Sequence, residues 1–225
     1  MQVTALVAAR DGARTVGQTV AALAGLPEVD SVWVVDDGSV DDTAAAAAGA
    51  GATVIRLPDN VGKGGAVAAG VAAIADADIF LLCDADLGDT AANARPLLRP
   101  LLAGEADMCV GVLPAAGGRG GFGLVREVAG RGIARACGFR ARAPLSGQRA
   151  VAAPLLRSLE LGARFGLEVA LTIDAVRAGA RVVEIDVALD HHHTGRTLAG
   201  FAHRARQGRD VVAVLLPRLT GRRTP

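Results

Sequence analysis

The sequence predicts an α/β fold built on a doubly wound, mostly parallel sheet, and three observations support this prediction. Short apolar segments alternate with helix-forming segments through the first half of the 225-residue chain, which is the arrangement that joins parallel strands through helices. Hydrophobic residues make up 51% of the sequence, enough for one substantial core. The 29 glycines allow the tight turns and close backbone approaches that such a fold requires.

The first half of the chain alternates regularly between the two kinds of element. Its apolar runs are short, which suits buried strands. Ser39, three residues before Asp42, resembles a helix N-cap with an acid in the first turn, and the alanine run that follows favours a helix. We predict strands at 3–9, 31–35, 52–56, 79–83 and 108–112, and helices at 15–24, 44–48 and 65–75.

The second half of the chain is less regular. A glycine-rich loop at 117–123 surrounds Arg119, and the pair Ser146-Gly147 marks a turn. Between and after these loops, apolar residues recur at helical spacing, and one further apolar run has the length of a strand. We predict helices at 124–137, 165–178 and 197–216, and a strand at 182–189.

Composition narrows the possible function classes. The formal net charge of +1 provides no global field for binding nucleic acid. The three cysteines are odd in number and contain no Cys-x-x-Cys pair, so we expect free thiols in a reducing compartment. No signal peptide or membrane-spanning stretch is evident, so we expect a cytoplasmic protein. Without a repeat or linker, we expect one domain over 1–225, divided into halves at 1–112 and 113–225.

Acidic residues directly follow three of the predicted strands. In a parallel α/β sheet, ligands bind beyond the carboxyl ends of the strands, which share one edge. Each aspartate alone is typical of a solvated turn or a helix cap, but several carboxylates crowded together repel unless a cation lies among them. Because hard oxygen ligands suit Mg²⁺ or Mn²⁺, we predict a metal site there. The acidic residues are Asp11, Asp36, Asp37, Asp84 and Asp86.

Four further groups are candidates for binding or catalysis. The glycine-rich turn at 60–65 opens a helix and could hold an anion with its backbone N–H groups and Lys63, although it lacks the P-loop spacing. One histidine of 191–193 could ligate the metal, and Arg196 could pair with phosphates. Glu168, near the start of an apolar helix, is either a general base or a carboxylate that stabilises the helix N-terminus.

Together these motifs resemble glycosyltransferase family 2 and its GT-A relatives over residues 3–207. The resemblance implies a GT-A, Rossmann-like sheet, with 1–112 as the nucleotide-sugar-binding half and 113–225 as the acceptor half with a C-terminal helix. The matching segments are 7–11 against P-A-x-N-E, 34–43 against V-D-D-G-S-x-D-x-T, 60–64 against N-x-G-K-G and 84–86 against D-x-D.

The same resemblance implies roles for individual residues of the first half. In the family, the first loop contacts the nucleoside, the second acid of D-D-G-S reads the uracil, and the lysine lies near the donor. The D-x-D holds the ribose and the metal-bound diphosphate. By position, the nucleotide-sugar-binding residues are Ala8, Ala9, Asp11, Asp37, Lys63, Asp84 and Ala85, and Asp86 is a metal ligand and catalytic residue.

The second half resembles two groups within the family. Residues 144–150 are similar to the D-P-x-S-G-F-R-A stretch of polyprenyl-phosphate sugar synthases, with Gln148 in place of phenylalanine. Segments 165–168 and 191–196 look more like glucosyl-3-phosphoglycerate synthases, in which a glutamate lies at the sugar pocket and a histidine completes the metal shell. By position, the resemblance assigns Glu168 to the sugar pocket, as a catalytic residue, and His191 to the metal. We further expect the acceptor at Ser146 and Gly147, and Arg196 at the phosphates of the nucleotide sugar.

We therefore expect a metal-dependent glycosyltransferase that uses Mn²⁺ or Mg²⁺ and moves a sugar from a nucleotide sugar, with UDP as the expected nucleotide. Glu168 is either the base of an inverting reaction or a sugar-positioning residue of a retaining one. The acceptor is a small molecule or a lipid phosphate, and peripheral membrane contact and a homodimer both stay open. Three alternatives are a polyprenyl-phosphate glycosyltransferase at a membrane surface, a sugar-phosphate nucleotidylyltransferase and a non-catalytic nucleotide-sugar-binding protein.

Overall fold

The computed structural model describes residues 1–114, 122–161, 166–190 and 198–219 of the chain. The strands are β1 (Val3–Ala9), β2 (Ser31–Asp36), β3 (Thr53–Arg56), β4 (Ile79–Asp84), β5 (Met108–Val112), β6 (Arg149–Ala152) and β7 (Val182–Asp186). They form one sheet in the order β3-β2-β1-β4-β6-β5-β7, with all described strand pairs parallel except those of β6. The predicted mixed α/β fold with a mostly parallel sheet is confirmed.

Helices connect most of these strands. The α-helices are α1 (Val16–Ala24), α2 (Thr43–Gly49), α3 (Gly62–Ala73), α4 (Arg99–Leu102), α5 (Phe122–Cys137), α6 (Ala153–Ser158), α7 (Leu167–Arg177) and α8 (Leu198–Leu219), and a 3₁₀ helix spans Gly88–Leu97. Helix α3 begins three residues before the predicted start, and β7 ends at Asp186 rather than at Leu189. The order of the predicted elements is otherwise that of the structure.

The centre of the sheet gathers three strand ends at one edge. Strand β1 pairs in parallel with β2 and β4, so Ala9 lies opposite Asp36 and Ala8 lies opposite Asp84. Strand β6 was not predicted, and it runs antiparallel between β4 and β5, with Leu82 opposite Arg149. Because of this direction, β6 begins at the edge where β4 ends. The loop before β6 therefore lies beside the acidic segment that follows β4.

Close packing holds the helices against this sheet. A Cβ atom at Gly70 of α3 would lie only 2.6 Å from Cδ1 of Leu6 in β1, so the helix approaches the sheet at a glycine. A separate apolar cluster joins α5, α7 and α8 through residues such as Ile133, Val169 and Leu215. The second half of the chain thus has its own helical layer, which places α7 next to the sheet edge.

The N-cap interpretation of Ser39 is wrong. Helix α2 begins at Thr43 with Asp42 in the cap position, and the Asp42 side chain makes no capping hydrogen bond. The Ser39 hydroxyl instead accepts the Asp11 backbone N–H at 2.9 Å. Ser39 therefore ties the loop after β1 to the loop after β2 at the carboxyl edge of the sheet.

Two further features concern membrane spans and thiols. Across the residues that the structure describes, no helix combines the length and the apolar character needed to cross a bilayer. Cys83, Cys109 and Cys137 are free thiols. Burial raises the pKa of Cys83, and it raises that of Cys109 to about 12. Both buried groups therefore stay protonated and unreactive at neutral pH.

Candidate active site

The Asp37 carboxylate fixes the glycine-rich turn that precedes α3. Asp37 directly follows β2 and is 4% exposed, and it accepts hydrogen bonds from the backbone N–H groups of Val61 at 2.7 Å and Gly62 at 2.8 Å. Gly62 has a φ of +83°, a left-handed conformation that suits glycine. Asp37 thereby brings the first turn of α3, with Lys63, to the edge where β1, β2 and β4 end.

Lys63 joins two carboxylates that come from distant parts of the chain. Its ammonium group donates to Oδ1 of Asp84 at 2.5 Å and to Oε1 of Glu168 at 2.9 Å. Burial by itself would lower the pKa of Lys63, but the charges of Asp84 and Glu168 and the two hydrogen bonds outweigh burial and raise it. Lys63 is therefore a permanent cation at this edge of the sheet.

Gln148 holds the other oxygen of Asp84. Its Nε2 donates to Oδ2 of Asp84 at 2.5 Å, and its Oε1 accepts the Asp84 backbone N–H at 3.1 Å. The Gln148 side chain is fully buried. Asp84 is thus bonded to a cation through one oxygen and to a neutral amide through the other. We refer to Lys63, Asp84, Gln148 and Glu168 as the lysine cluster.

Arg149 lines a small cavity together with Lys63 and Glu168. Its Nε donates to the Ser146 carbonyl at 2.9 Å and its Nη1 donates to the Thr172 hydroxyl at 3.0 Å. Burial lowers the pKa of Arg149 to about 10, although nearby carboxylates act in the opposite direction. Its Nη2 is buried and has no hydrogen-bond partner within the described ranges. Arg149 therefore places a second, less exposed positive charge next to Glu168.

Gly147 allows the lysine cluster to form. A Cβ atom at this position would overlap Nζ of Lys63 and would lie 2.9 Å from Oδ1 of Asp84. The ammonium group can therefore occupy its place only beside a residue without a side chain. Gly147, which we expect at the acceptor, thus lies directly beside Lys63 and Asp84.

A Gly147→Ala substitution should consequently lower turnover far more than stability. The lysine side chain can move away from the added methyl group, so the free energy of unfolding should fall by only about 1 kcal/mol. The displaced ammonium loses its geometry with Asp84 and Glu168, so kcat/KM should fall about 10- to 100-fold. Gly49→Ala, where nothing lies within 4 Å of the added Cβ, is the matched control. Steady-state kinetics and thermal unfolding measure both effects, and wild-type kinetics for Gly147→Ala would contradict this account.

The other residues that we expect to bind the nucleotide sugar lie along the same edge. Ala8 and Ala9 end β1, and Ala8 lines the cavity beside the lysine cluster. The Asp11 carboxylate accepts a backbone N–H from the loop after β2 at 3.0 Å. The Ala85 carbonyl accepts the Thr19 hydroxyl at 3.0 Å. These contacts order the loops at the edge, and ligand binding by Asp11 and Ala85 stays a prediction.

Four further residues were predicted to belong to the site. Asp86 lies two residues beyond the end of β4, in the turn that leads to the 3₁₀ helix. His191 and Arg196 lie outside the described residues, as does most of the predicted loop at 117–123. Ser146 is described, and its carbonyl accepts from the Arg149 guanidinium.

The carboxylate oxygens at this edge suit a hard divalent cation that a bound ligand also coordinates. Mg²⁺ and Mn²⁺ are commonly bound by one or two protein carboxylates, with waters and substrate phosphates completing the shell. Asp86 and the neighbouring Asp84 supply such oxygens. In the part of the chain that the structure describes, no three Asp, Glu, His or Cys side chains converge on one point. The described residues therefore suit a shared metal rather than a closed protein cage.

Sequence reasoning missed Gln148 and Arg149 as site residues. Both follow the Ser146-Gly147 turn, where a polar pair gives no local sign that it is buried. The available signal was positional, since Gln148 stands where the similar sugar synthases have phenylalanine. A buried amide at that position requires hydrogen-bond partners, and Asp84 provides them.

Comparison with known proteins finds a family and a group of relatives. The profile of glycosyl transferase family 2 matches residues 4–143 of the chain. The glucosyl-3-phosphoglycerate synthase of Mycolicibacterium paratuberculosis is 30% identical, over 96% of this chain and 72% of that protein. The synthase of Mycobacterium tuberculosis is 31% identical, over 84% of this chain and 64% of that protein. The chain thus spans roughly two thirds of the length of these relatives.

Solved structures of the Mycobacterium tuberculosis synthase share the fold. Its complex with phosphoglyceric acid matches with a TM-score of 0.82 and 28% identity, over 99% of this chain and 81% of that one. Its complex with Mn²⁺, UDP-glucose and phosphoglyceric acid gives 0.78 and 27%, over the same shares. Its complex with Mg²⁺ and UDP gives 0.81 and 28%, over 99% and 80%. The likeness confirms the GT-A fold that the sequence predicts.

Proposed function

The chain belongs to glycosyl transferase family 2 and is a glycosyltransferase; we propose that it moves a sugar from a UDP-sugar to an acceptor with the help of a divalent metal. One observation carries the proposal: Lys63, Asp84 and Glu168 converge at the carboxyl edge of the sheet. A cation between two carboxylates suits a ligand that carries phosphates and sugar hydroxyls. The phosphates pair with the cation, and the hydroxyls donate to the carboxylates.

The donor that we propose is UDP-glucose, and the acceptor is a small phosphorylated acid. The similar synthase of Mycobacterium tuberculosis binds Mn²⁺, UDP-glucose and phosphoglyceric acid together. The family profile matches residues 4–143, which include most of the residues that we expect to bind the donor. The comparison therefore supports a shared donor more strongly than a shared acceptor. The acceptor would lie at the Ser146-Gly147 turn.

The phosphates would be bound by the metal and by basic side chains. Asp86 and His191 would hold Mn²⁺ or Mg²⁺, which when bound neutralises charge on the diphosphate as the sugar–phosphate bond breaks. Lys63 and Arg196 would add positive charge around the same phosphates. A preorganised cation is effective there because it needs no rearrangement when the leaving group develops charge.

The nucleoside would lie against the strand ends on the other side of the metal. Ala8 and Ala9 end β1 with their small side chains on opposite faces of the sheet, and Asp11 follows them. Asp37 would accept from the uracil through lone pairs that remain after its two backbone hydrogen bonds. Asp84 would accept from a ribose hydroxyl. The small side chains at the β1 end leave room for a planar base.

Glu168 has two possible roles at the sugar. It is 7% exposed and its Oε1 is bonded to Lys63 at 2.9 Å. In an inverting reaction it would take the proton of the acceptor hydroxyl, and in a retaining reaction it would position the sugar by accepting from a hydroxyl group. The anomeric configuration of the product, determined by NMR at early reaction times, decides between the two roles.

A thermal-shift screen tests the donor and the metal together. UDP-glucose with Mn²⁺ should raise the Tm, because a ligand at 100 times its Kd adds about 2.7 kcal/mol to the stability of the folded state. For a chain of this length, that corresponds to roughly 5–10 °C. UDP-glucose without metal and ADP-glucose with Mn²⁺ should give smaller shifts.

If no UDP-sugar raised the Tm in that screen, UDP-sugars would be ruled out as the donor class. Product analysis then separates the alternative functions. Release of UDP in the presence of an acceptor identifies a transferase, whereas release of pyrophosphate identifies a sugar-phosphate nucleotidylyltransferase. Binding of UDP without turnover indicates a non-catalytic nucleotide-sugar-binding protein.

A lipid phosphate at a membrane surface is the second candidate acceptor. Exposed apolar side chains on α5 and α8 favour it, with Leu124 at 71% and Leu216 at 57% exposure. Such side chains also favour a homodimer that covers the same helices. Flotation with anionic liposomes tests the first possibility, and sedimentation at several concentrations tests the second. A monomer that stays off liposomes would leave the small phosphorylated acid as the candidate.

A further inference from the structure

Gln148 binds a single residue twice. One hydrogen bond goes to the main chain of Asp84 and the other goes to its carboxylate. The backbone of Gln148 is itself fixed, because its carbonyl accepts the Gly111 N–H of β5 at 2.8 Å. The Asp84 side chain is therefore held from a rigid part of the sheet, between β4 and β5.

The chemistry of this contact suits an amide. Asn and Gln carry a donor and an acceptor on the same carbon of one planar, neutral group. A fully buried amide costs free energy unless both of its atoms are hydrogen-bonded. The presence of Gln148 therefore points to a need for the bonds themselves.

Lys63 and Gln148, which both bond to Asp84, respond differently to a ligand. Lys63 is charged, is partly exposed and shares its ammonium group with Glu168, so an incoming diphosphate can attract it. Gln148 is neutral and fully buried, so a ligand cannot reach it. When Lys63 turns to phosphates, the two hydrogen bonds from Gln148 to Asp84 remain.

We propose that Gln148 is a positioning residue, which keeps the Asp84 carboxylate in its ligand-binding orientation while Lys63 exchanges between that carboxylate and the phosphates of the donor. This inference rests on the proposed function, since it assigns the carboxylate to the nucleotide sugar. It predicts that the loss of Gln148 weakens donor binding even though Gln148 touches no ligand.

The first test compares Gln148→Met with a control variant that also removes a buried polar contact. Methionine keeps the length of the side chain and removes both hydrogen bonds. We expect the Kd of UDP with Mn²⁺, measured by calorimetry, to rise about tenfold, and kcat/KM to fall about 10- to 100-fold, as for other residues that orient ligand-binding groups. The control is Thr4→Val, which removes a buried hydroxyl contact with Ser31 at the opposite edge of the sheet. It should lower the Tm without changing either constant.

The second test exchanges the two functional groups. Gln148→Glu alone places two carboxylates in contact and should lower the Tm strongly. The double variant Gln148→Glu with Asp84→Asn restores an amide–carboxylate pair in reversed order. Its Tm should recover, because the pair is again complementary, but UDP binding should not, because the carboxylate now lies at the buried position.

The outcomes separate this inference from the proposed function. Wild-type constants for Gln148→Met, at a temperature where the variant is folded, would overturn the role of Gln148 alone. A Tm of the double variant no higher than that of Gln148→Glu would also overturn it. If the wild-type chain neither binds UDP nor uses a UDP-sugar, the proposed function fails, and the positioning role fails with it.

Discussion

An Asp86→Ala variant is expected to lose turnover and to lose Mn²⁺-dependent binding of UDP. Alanine removes the carboxylate that we assign to the metal, so the diphosphate would keep its full negative charge as the sugar–phosphate bond breaks. Lewis-acid assistance of this kind contributes several kcal/mol, which corresponds to a loss of at least about 10³-fold in kcat. Steady-state kinetics with UDP-glucose, and calorimetry with UDP in the presence and absence of Mn²⁺, measure the two effects.

Asp76→Ala is the matched control for this experiment. Asp76 is an exposed aspartate in the loop before β4, at the opposite edge of the sheet, and the chemical change is the same. Both its kinetics and its metal-dependent binding should equal those of the wild-type chain. Normal activity in Asp86→Ala would rule out the metal role of Asp86, and a loss in both variants would indicate a general effect of removing a negative charge.

A Lys63→Met variant should show the second large effect, on activity and on stability together. Without the ammonium group, Asp84 and Glu168 lose the cation that bonds to both of them, and the phosphates lose a preorganised cation. We expect kcat/KM to fall about 10²- to 10³-fold. The free energy of unfolding should fall by about 1–3 kcal/mol, less than for a fully buried pair, because Lys63 and Asp84 are 22% and 26% exposed. Kinetics and denaturant unfolding measure the two quantities.

Two variants control for the Lys63 result. Lys63→Arg keeps the charge but not the geometry of the ammonium group, so it should recover part of the stability and little of the activity. Arg131→Met removes an exposed ion pair with Glu127 on α5, which should cost at most about 1 kcal/mol and no activity. If Lys63→Met were as active as the wild-type chain, the lysine cluster would have no role in catalysis.

The sequence predicts the first half of the site well because each part carries a local motif. Asp37 and Asp84 directly follow apolar runs that form strands, and Lys63 lies in a glycine-rich turn that opens a helix. These local motifs place all three residues at the same edge of the sheet. The ion pairs of Lys63 could not be predicted in the same way. They join residues 21 and 105 positions apart, and such distances depend on how the second half of the chain packs.

The parts that the sequence does not predict depend on tertiary burial. Strand β6 has only four residues and begins with Arg149, a pattern typical of a surface segment. Arg149 is buried because Thr172 and the Ser146 carbonyl satisfy two of its donors. Ser39 shows the opposite error, since a strong local capping pattern is overridden by a hydrogen bond from Asp11.

The insertion of β6 between β4 and β5 has a consequence for how the protein is made. During synthesis, the side of β4 that faces away from β1 has no partner strand until β6 has left the ribosome. An apolar strand edge in that state is prone to pair with other chains. The nascent first half already contains the ion pair between Lys63 and Asp84, but Gln148 and Glu168 are still missing from it. The second half therefore covers the edge of β4 and completes the lysine cluster in one late step.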